Sequence, residues 1–103
     1  MTLKPVGAQR AYLDELRSEL LRAAYRRTHQ LGALPPPGVD EDVVQAAHRA
    51  SVQRILGQVH AALDRLDAGT YGECVACGRL VALQDLRRCP WTERCGTCIR
   101  STV

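Results

Sequence analysis

Two paired-cysteine hooks, Cys74-x2-Cys77 and Cys95-x2-Cys98, stand seventeen residues apart near the end of this 103-residue chain and constrain its fold most strongly. Each hook puts two thiolates on one tight turn, so four sulfurs can meet one ion tetrahedrally with little protein around them. Gly78 and Gly96, directly after a cysteine in each hook, are expected to ease those turns. Disulfides are the rival chemistry. The spacing favours metal, and the start Met1-Thr2-Leu3-Lys4-Pro5 lacks the apolar stretch of a secretory signal, so a cytoplasmic setting is expected. The metal expected is a structural Zn²⁺ held by Cys74, Cys77, Cys95 and Cys98. The fifth cysteine, Cys89, precedes Pro90 and reads as a small half-buried residue.

Composition explains why a metal would matter. Phenylalanine is absent, three tyrosines and one tryptophan are the aromatics, and thirteen alanines accompany Leu, Val and Ile. Such material builds narrow helix-to-helix seams rather than a large core, and metal binding supplies stability that core volume cannot. The formal charge of +3 falls to about +1 once four thiolates hold one divalent ion, too little to mark a nucleic-acid binder. No apolar run approaches the ~20 residues of a membrane span.

Along the chain, Leu13, Leu16 and Leu20, continued by Ala24 and Leu31, trace one face of a helix over about residues 8–31. Arg10, Asp14, Arg17, Arg22, Arg26 and Arg27 occupy its other faces and read as solvated surface. Gly32 and then Pro35-Pro36-Pro37-Gly38 stop this helix, giving a tip loop over 32–39. A second helix over 40–68 starts at Asp40 as N-cap, with Glu41 and Asp42 suited to the positive end of its dipole. Val52, Ile55, Val59, Ala62 and Leu66 step by three and four, with Leu56 and Leu63 widening the stripe, and Gly69 ends the helix. The expected fold is small and all-α. Residues 1–70 form an antiparallel two-helix coiled-coil hairpin, and residues 71–103 form a four-cysteine zinc knuckle at its open end.

Tyr71-Gly72-Glu73-Cys74-Val75-Ala76-Cys77-Gly78, with Gly69 before it, Pro90, and the gap between hooks, resembles the TraR/DksA zinc-finger family. The resemblance implies a transcription regulator that binds bacterial RNA polymerase rather than promoter DNA, entering the secondary channel with its hairpin tip toward the active centre and modulating initiation. It also implies an acidic tip. The family pattern Asp-x-x-Asp-x-Ala has its nearest match in Asp42-Val43-Val44-Gln45-Ala46-Ala47, with glutamine at the second acidic position, so Asp40, Glu41 and Asp42 are the tip candidates; helix capping explains the same three residues without a partner. Long family members help hold guanosine tetraphosphate with basic residues on the second helix and just after the last cysteine; the corresponding register here gives Ser51, Ile55 and Gln58 on the helix and Ile99 after Cys98, with only the apolar position kept, which argues against nucleotide synergy unless Arg54 or Arg100 compensates.

An enzyme is not expected, because four cysteines close the metal shell and no nucleophile with a base is visible. His29, His48 and His60 lie on the helices, far from the hooks. Two alternatives stay open: a zinc-ribbon module that binds nucleic acid through Arg79, Arg87, Arg88, Arg94 and Arg100, and a helical interaction module that dimerises through its seam. A closed hairpin leaves no seam free, so a monomer is expected.

Overall fold

The computed structural model describes residues 6–36 and 42–101. Two long helices, α1 (Val6–Ala33) and α2 (Val43–Ala68), are followed by two single-turn helices, α3 (Leu83–Arg88) and α4 (Gly96–Ser101). The molecule measures 57 × 32 × 21 Å, set by helices of 28 and 26 residues that run about 40 Å at 1.5 Å per residue.

The long helices pack as an antiparallel pair. Arg17 meets Asp67 at the open end, at 2.6 Å, while Arg49 donates to the Pro35 carbonyl near the tip; partners that approach each other in sequence toward one end belong to a hairpin. The Arg17–Asp67 pair is well exposed on both sides and contributes little to stability. Burial does the work. Leu16, Leu20, Ala23, Ala24, Val59 and Ala62 form one buried cluster, with Ile55, Leu56, Leu63 and Leu66 packed against it. Small residues on both helices let the backbones approach closely, which keeps the pair slim. Val52 is also buried, whereas Leu13 and Leu31, expected on the seam, are half-buried. Ala23, outside the expected stripe, is inside.

Both helix limits at the tip differ from expectation. Gly32 does not stop α1 but lies within it, and the chain leaves the helix through a Leu34 N–H bond to the Leu31 carbonyl before the prolines. The N-cap of α2 is Asp42 rather than Asp40, with the helix beginning at Val43. Its Oδ1 accepts from the Gln45 amide at 2.7 Å, the bond a capping carboxylate makes to the third helical residue. Asp40 and Glu41, the other two tip candidates, lie outside the described residues. At the far end Gly69 adopts the left-handed conformation, φ 80°, and the Thr70 N–H returns to the Arg65 carbonyl at 2.9 Å, which closes α2 and turns the chain into the knob.

Candidate metal centre

The first hook forms on a hairpin-like turn. Cys74 N–H bonds the Arg79 carbonyl at 2.7 Å, Gly78 N–H bonds the Cys74 carbonyl at 2.9 Å, and Glu73 bridges Leu80 antiparallel. Gly78 sits at φ 77° with open space where a side chain would begin, so conformation rather than crowding calls for glycine there. The second hook uses different geometry. Cys95 precedes α4, Cys98 lies in its first turn, and Ile99 N–H bonds the Cys95 carbonyl at 3.0 Å. Gly96 is therefore the first residue of a helix and takes no left-handed conformation, contrary to the expectation that it eases a tight turn. A bond from Val75 N–H to the Glu93 carbonyl, 2.8 Å, ties the two hooks together.

Their union brings four sulfurs into one place: the Sγ atoms of Cys74, Cys77, Cys95 and Cys98 all lie within 4.8 Å of one another. The Cys77 and Cys95 sulfurs are 3.7 Å apart, close to the edge of ~3.8 Å that a tetrahedron with zinc–sulfur bonds of ~2.3 Å requires. Cys74 is buried, Cys95 and Cys98 are half-buried, and Cys77 is exposed. The local field prepares thiolates unevenly. The Cys95 backbone amide, aided by those of Cys77 and Ala76, draws the Cys74 thiol down to about 6 against the opposing effect of burial. The Cys98 amide lowers Cys95 in the same way. Cys98 is pushed up to about 12, first by its sulfur contact with Cys95 and then by those with Cys74 and Cys77. A cluster this tight resists full ionisation by itself, and a divalent cation at its centre removes that resistance.

Cys89 takes no part in the cluster. It caps α3, half-buried, and its thiol is pushed up, chiefly by burial. Among the described residues the four-cysteine group is the one His/Cys/Asp/Glu cluster that could hold a metal ion; the three histidines are exposed on α1 and α2.

Two aromatic residues seat the knob on the hairpin. Tyr71 packs against both the helical cluster and a second cluster of Cys74, Val81 and Leu86, while Trp91 packs against the helical one. The Tyr71 hydroxyl donates to the Pro90 carbonyl at 2.8 Å. The Arg27 guanidinium lies over the Trp91 ring, 5.0 Å from its centre. Arg27 and Arg17 are thus engaged rather than purely solvated. Helical periodicity could not reveal the Arg27 contact, because its partner is 64 positions away in the sequence.

Burial pushes the Tyr71 phenol up to about 12. A proton held more tightly in the folded state gives stability that is intact below the ordinary tyrosine range and declines as pH rises from ~10 through the folded-state value. Tyr71→Phe is expected to cost about 1 kcal/mol near neutral pH through the lost hydrogen bond, and to remove this residue's share of the alkaline decline. Denaturant titrations at neutral and alkaline pH check both effects.

Solved structures share this arrangement of helical pair and knob. The RNA polymerase binding protein and transcriptional regulator Dks of Chlamydia trachomatis matches with a TM-score of 0.66 at 16% identity, over 88% of this chain and 86% of its own. The DnaK suppressor protein of Agrobacterium tumefaciens matches at 28% identity with a TM-score of 0.57, covering 97% of both chains. The transcription factor DksA2 of Pseudomonas aeruginosa matches at 24% identity with a TM-score of 0.53, over 89% of this chain and 78% of its own. The chain has the DksA-type fold. No protein-family model and no curated protein matches its sequence significantly. No helix among the described residues is long and apolar enough to cross a membrane.

Proposed function

We propose that this protein is a non-enzymatic transcription regulator that binds bacterial RNA polymerase, enters its secondary channel with the hairpin tip toward the active centre, and modulates initiation. The observation that carries this reading is the match over nearly the whole chain to DksA-type structures, one of them described as an RNA polymerase binding protein. A two-helix rod of about 40 Å, in a molecule of 57 × 32 × 21 Å, suits entry into a channel. In this reading Zn²⁺, bound by Cys74, Cys77, Cys95 and Cys98, is structural: a closed four-sulfur shell leaves no open position for chemistry and fixes the knob from which the rod projects. The regulator acts on the polymerase rather than on promoter DNA, as a cytoplasmic monomer when it engages its target, and without guanosine tetraphosphate synergy.

Two cations of the nucleic-acid alternative are less free than the sequence suggests: Arg88, though exposed, pairs with Asp85 at 2.8 Å, and Arg94 is half-buried, its Nε enclosed without a hydrogen-bond partner. Capture of bacterial core polymerase by the protein, displaced by a known secondary-channel ligand, tests the reading. Binding to free DNA with a steep salt dependence, and none to polymerase, overturns it.

Asp42 carries the tip prediction, with Asp40 and Glu41 as the neighbouring acidic candidates. Asparagine caps as well as aspartate, so Asp42→Asn should change stability by no more than a few tenths of a kcal/mol, whereas Asp42→Ala should cost about 1 kcal/mol. If a carboxylate at this position acts near the polymerase's metal centre, Asp42→Asn lowers the effect on transcription while polymerase binding persists. In vitro transcription beside a binding assay checks it, and full activity of an Asp40→Asn, Asp42→Asn double variant would leave channel occlusion as the mechanism.

A further inference from the structure

The hairpin sorts its charges into bands along its length. Its base holds Asp14, Glu15 and Glu19 on α1 and Asp64 and Asp67 on α2, mixed with Arg10, Arg17 and Arg65; its tip has Asp42, with Asp40 and Glu41 before it in sequence. The contacts Arg17–Asp67 and Arg49–Pro35 set the register of the two helices, which puts Asp64 level with Leu20 and Asp42 beyond Pro36. Between those levels lies roughly 25 Å of rod. There, residues 20–36 and 43–63 hold no carboxylate at all, and carry Arg22, Arg26, Arg27, Arg49 and Arg54.

The hairpin itself does not need this sleeve of arginines. Arg27 lies over Trp91 and Arg49 donates to the Pro35 carbonyl, but Arg22, Arg26 and Arg54 are exposed and make no ion pair among the described residues. Arg22 and Arg26, four residues apart on one helix, repel each other mildly. The knob brings Glu93 and Arg94 to the border of the sleeve beside Gln58, and these two offset each other in charge. A band of uncompensated cations between two acidic ends suits an anionic partner. Its arrangement says which kind. Arg22 and Arg26 are about 40° apart around α1, Arg27 is about 100° further on, and Arg54 stands on the other helix. A nucleic-acid strand lying along one face would meet two of them and then the carboxylates at base and tip, whereas a protein surface that surrounds the rod meets every exposed one.

We infer that the carboxylate-free sleeve of arginines between the two acidic ends of the hairpin docks against an acidic collar of protein, which on the function proposed above lines the polymerase channel. The bands also set how far the rod enters. Deeper insertion brings Glu19 and Asp64 against the carboxylates of the collar, and shallower insertion brings Asp42 there, so like charges oppose both displacements.

Binding of the full chain to bacterial core polymerase freed of nucleic acid, measured at low and high salt in competition with a known secondary-channel ligand, tests it. Wild type should bind, and more weakly as salt rises. Arg22→Glu with Arg26→Glu should weaken binding by about tenfold or more, chiefly by slowing association, and flatten its salt dependence. Arg22→Lys with Arg26→Lys should bind as wild type does, since the collar reads charge rather than shape. Arg79→Glu with Arg87→Glu, exposed on the knob, makes the same change in net charge and should weaken binding far less. All four positions are exposed, so helical content and melting temperature should stay near wild type and show that the variants are folded. A wild-type chain that does not bind polymerase overturns the proposed function and this inference with it. Wild-type binding that survives Arg22→Glu with Arg26→Glu, or falls equally in the knob variant, overturns the sleeve alone. Binding of a labelled single-stranded RNA by wild type, abolished by Arg22→Glu with Arg26→Glu, overturns the acidic collar and assigns the sleeve to nucleic acid.

Discussion

The zinc-bearing protein, exposed to a strong chelator, is expected to lose the knob as an ordered unit while keeping part of its helical signal. The region around the hooks has little else to hold it. Its cluster is Cys74, Val81 and Leu86, with Tyr71, Cys95 and Cys98 packed beside it, so half of its members belong to the four-sulfur group that could hold the metal. Structural zinc sites supply on the order of 10 kcal/mol of apparent binding free energy, comparable with the whole stability of a small domain. Cys74→Ser and Cys98→Ser should each reduce bound zinc well below one equivalent and abolish the cooperative transition of the knob, read by metal analysis and by tryptophan emission from Trp91. Cys89→Ser should retain a full equivalent, because its sulfur lies outside the cluster. Absence of zinc from the purified wild type would remove the metal assignment, and equal loss from Cys89→Ser would reassign a ligand.

Leu20→Ala should be the most damaging substitution in the hairpin. Leu20 is fully buried, in contact with a seam otherwise built largely from small side chains. Removing it creates a cavity that two straight helices close poorly, at a cost of roughly 3 kcal/mol, within the 2–5 kcal/mol usual for buried leucines. Leu21→Ala is the matched control: the neighbouring side chain is more than half exposed and should change monomer stability by less than about 0.5 kcal/mol. Denaturant unfolding followed by far-ultraviolet circular dichroism compares the two.

The legible part of this fold was written in short-range pattern. The steps of three and four through Val52, Ile55, Val59 and Ala62 describe the inward helix face, and the paired spacing of the cysteines announces four sulfurs in one place, although only the first hook forms on the expected glycine turn. The tip was less legible, since Asp40 and Asp42 are both competent caps and only the bond to the Gln45 amide distinguishes the observed one. The single-turn helices α3 and α4 have too few residues to produce a periodic signal. The seat of the knob was hidden for another reason. Tyr71, Trp91 and Arg27 are ordinary residues in their local windows, and their contacts join segments distant in sequence.

That seat also acts as a pivot. Tyr71 and Trp91 fix the angle at which a rod of about 40 Å leaves the knob, and over such an arm a tilt of 5° displaces the far end by about 3.5 Å, more than the length of a hydrogen bond. Aim is therefore decided at the base, by an aromatic pair, one hydroxyl and one stacked guanidinium, far from any residue at the tip. A substitution there, such as Trp91→Leu, can preserve the metal, the helices and the hold on a partner, yet send the tip to the wrong place.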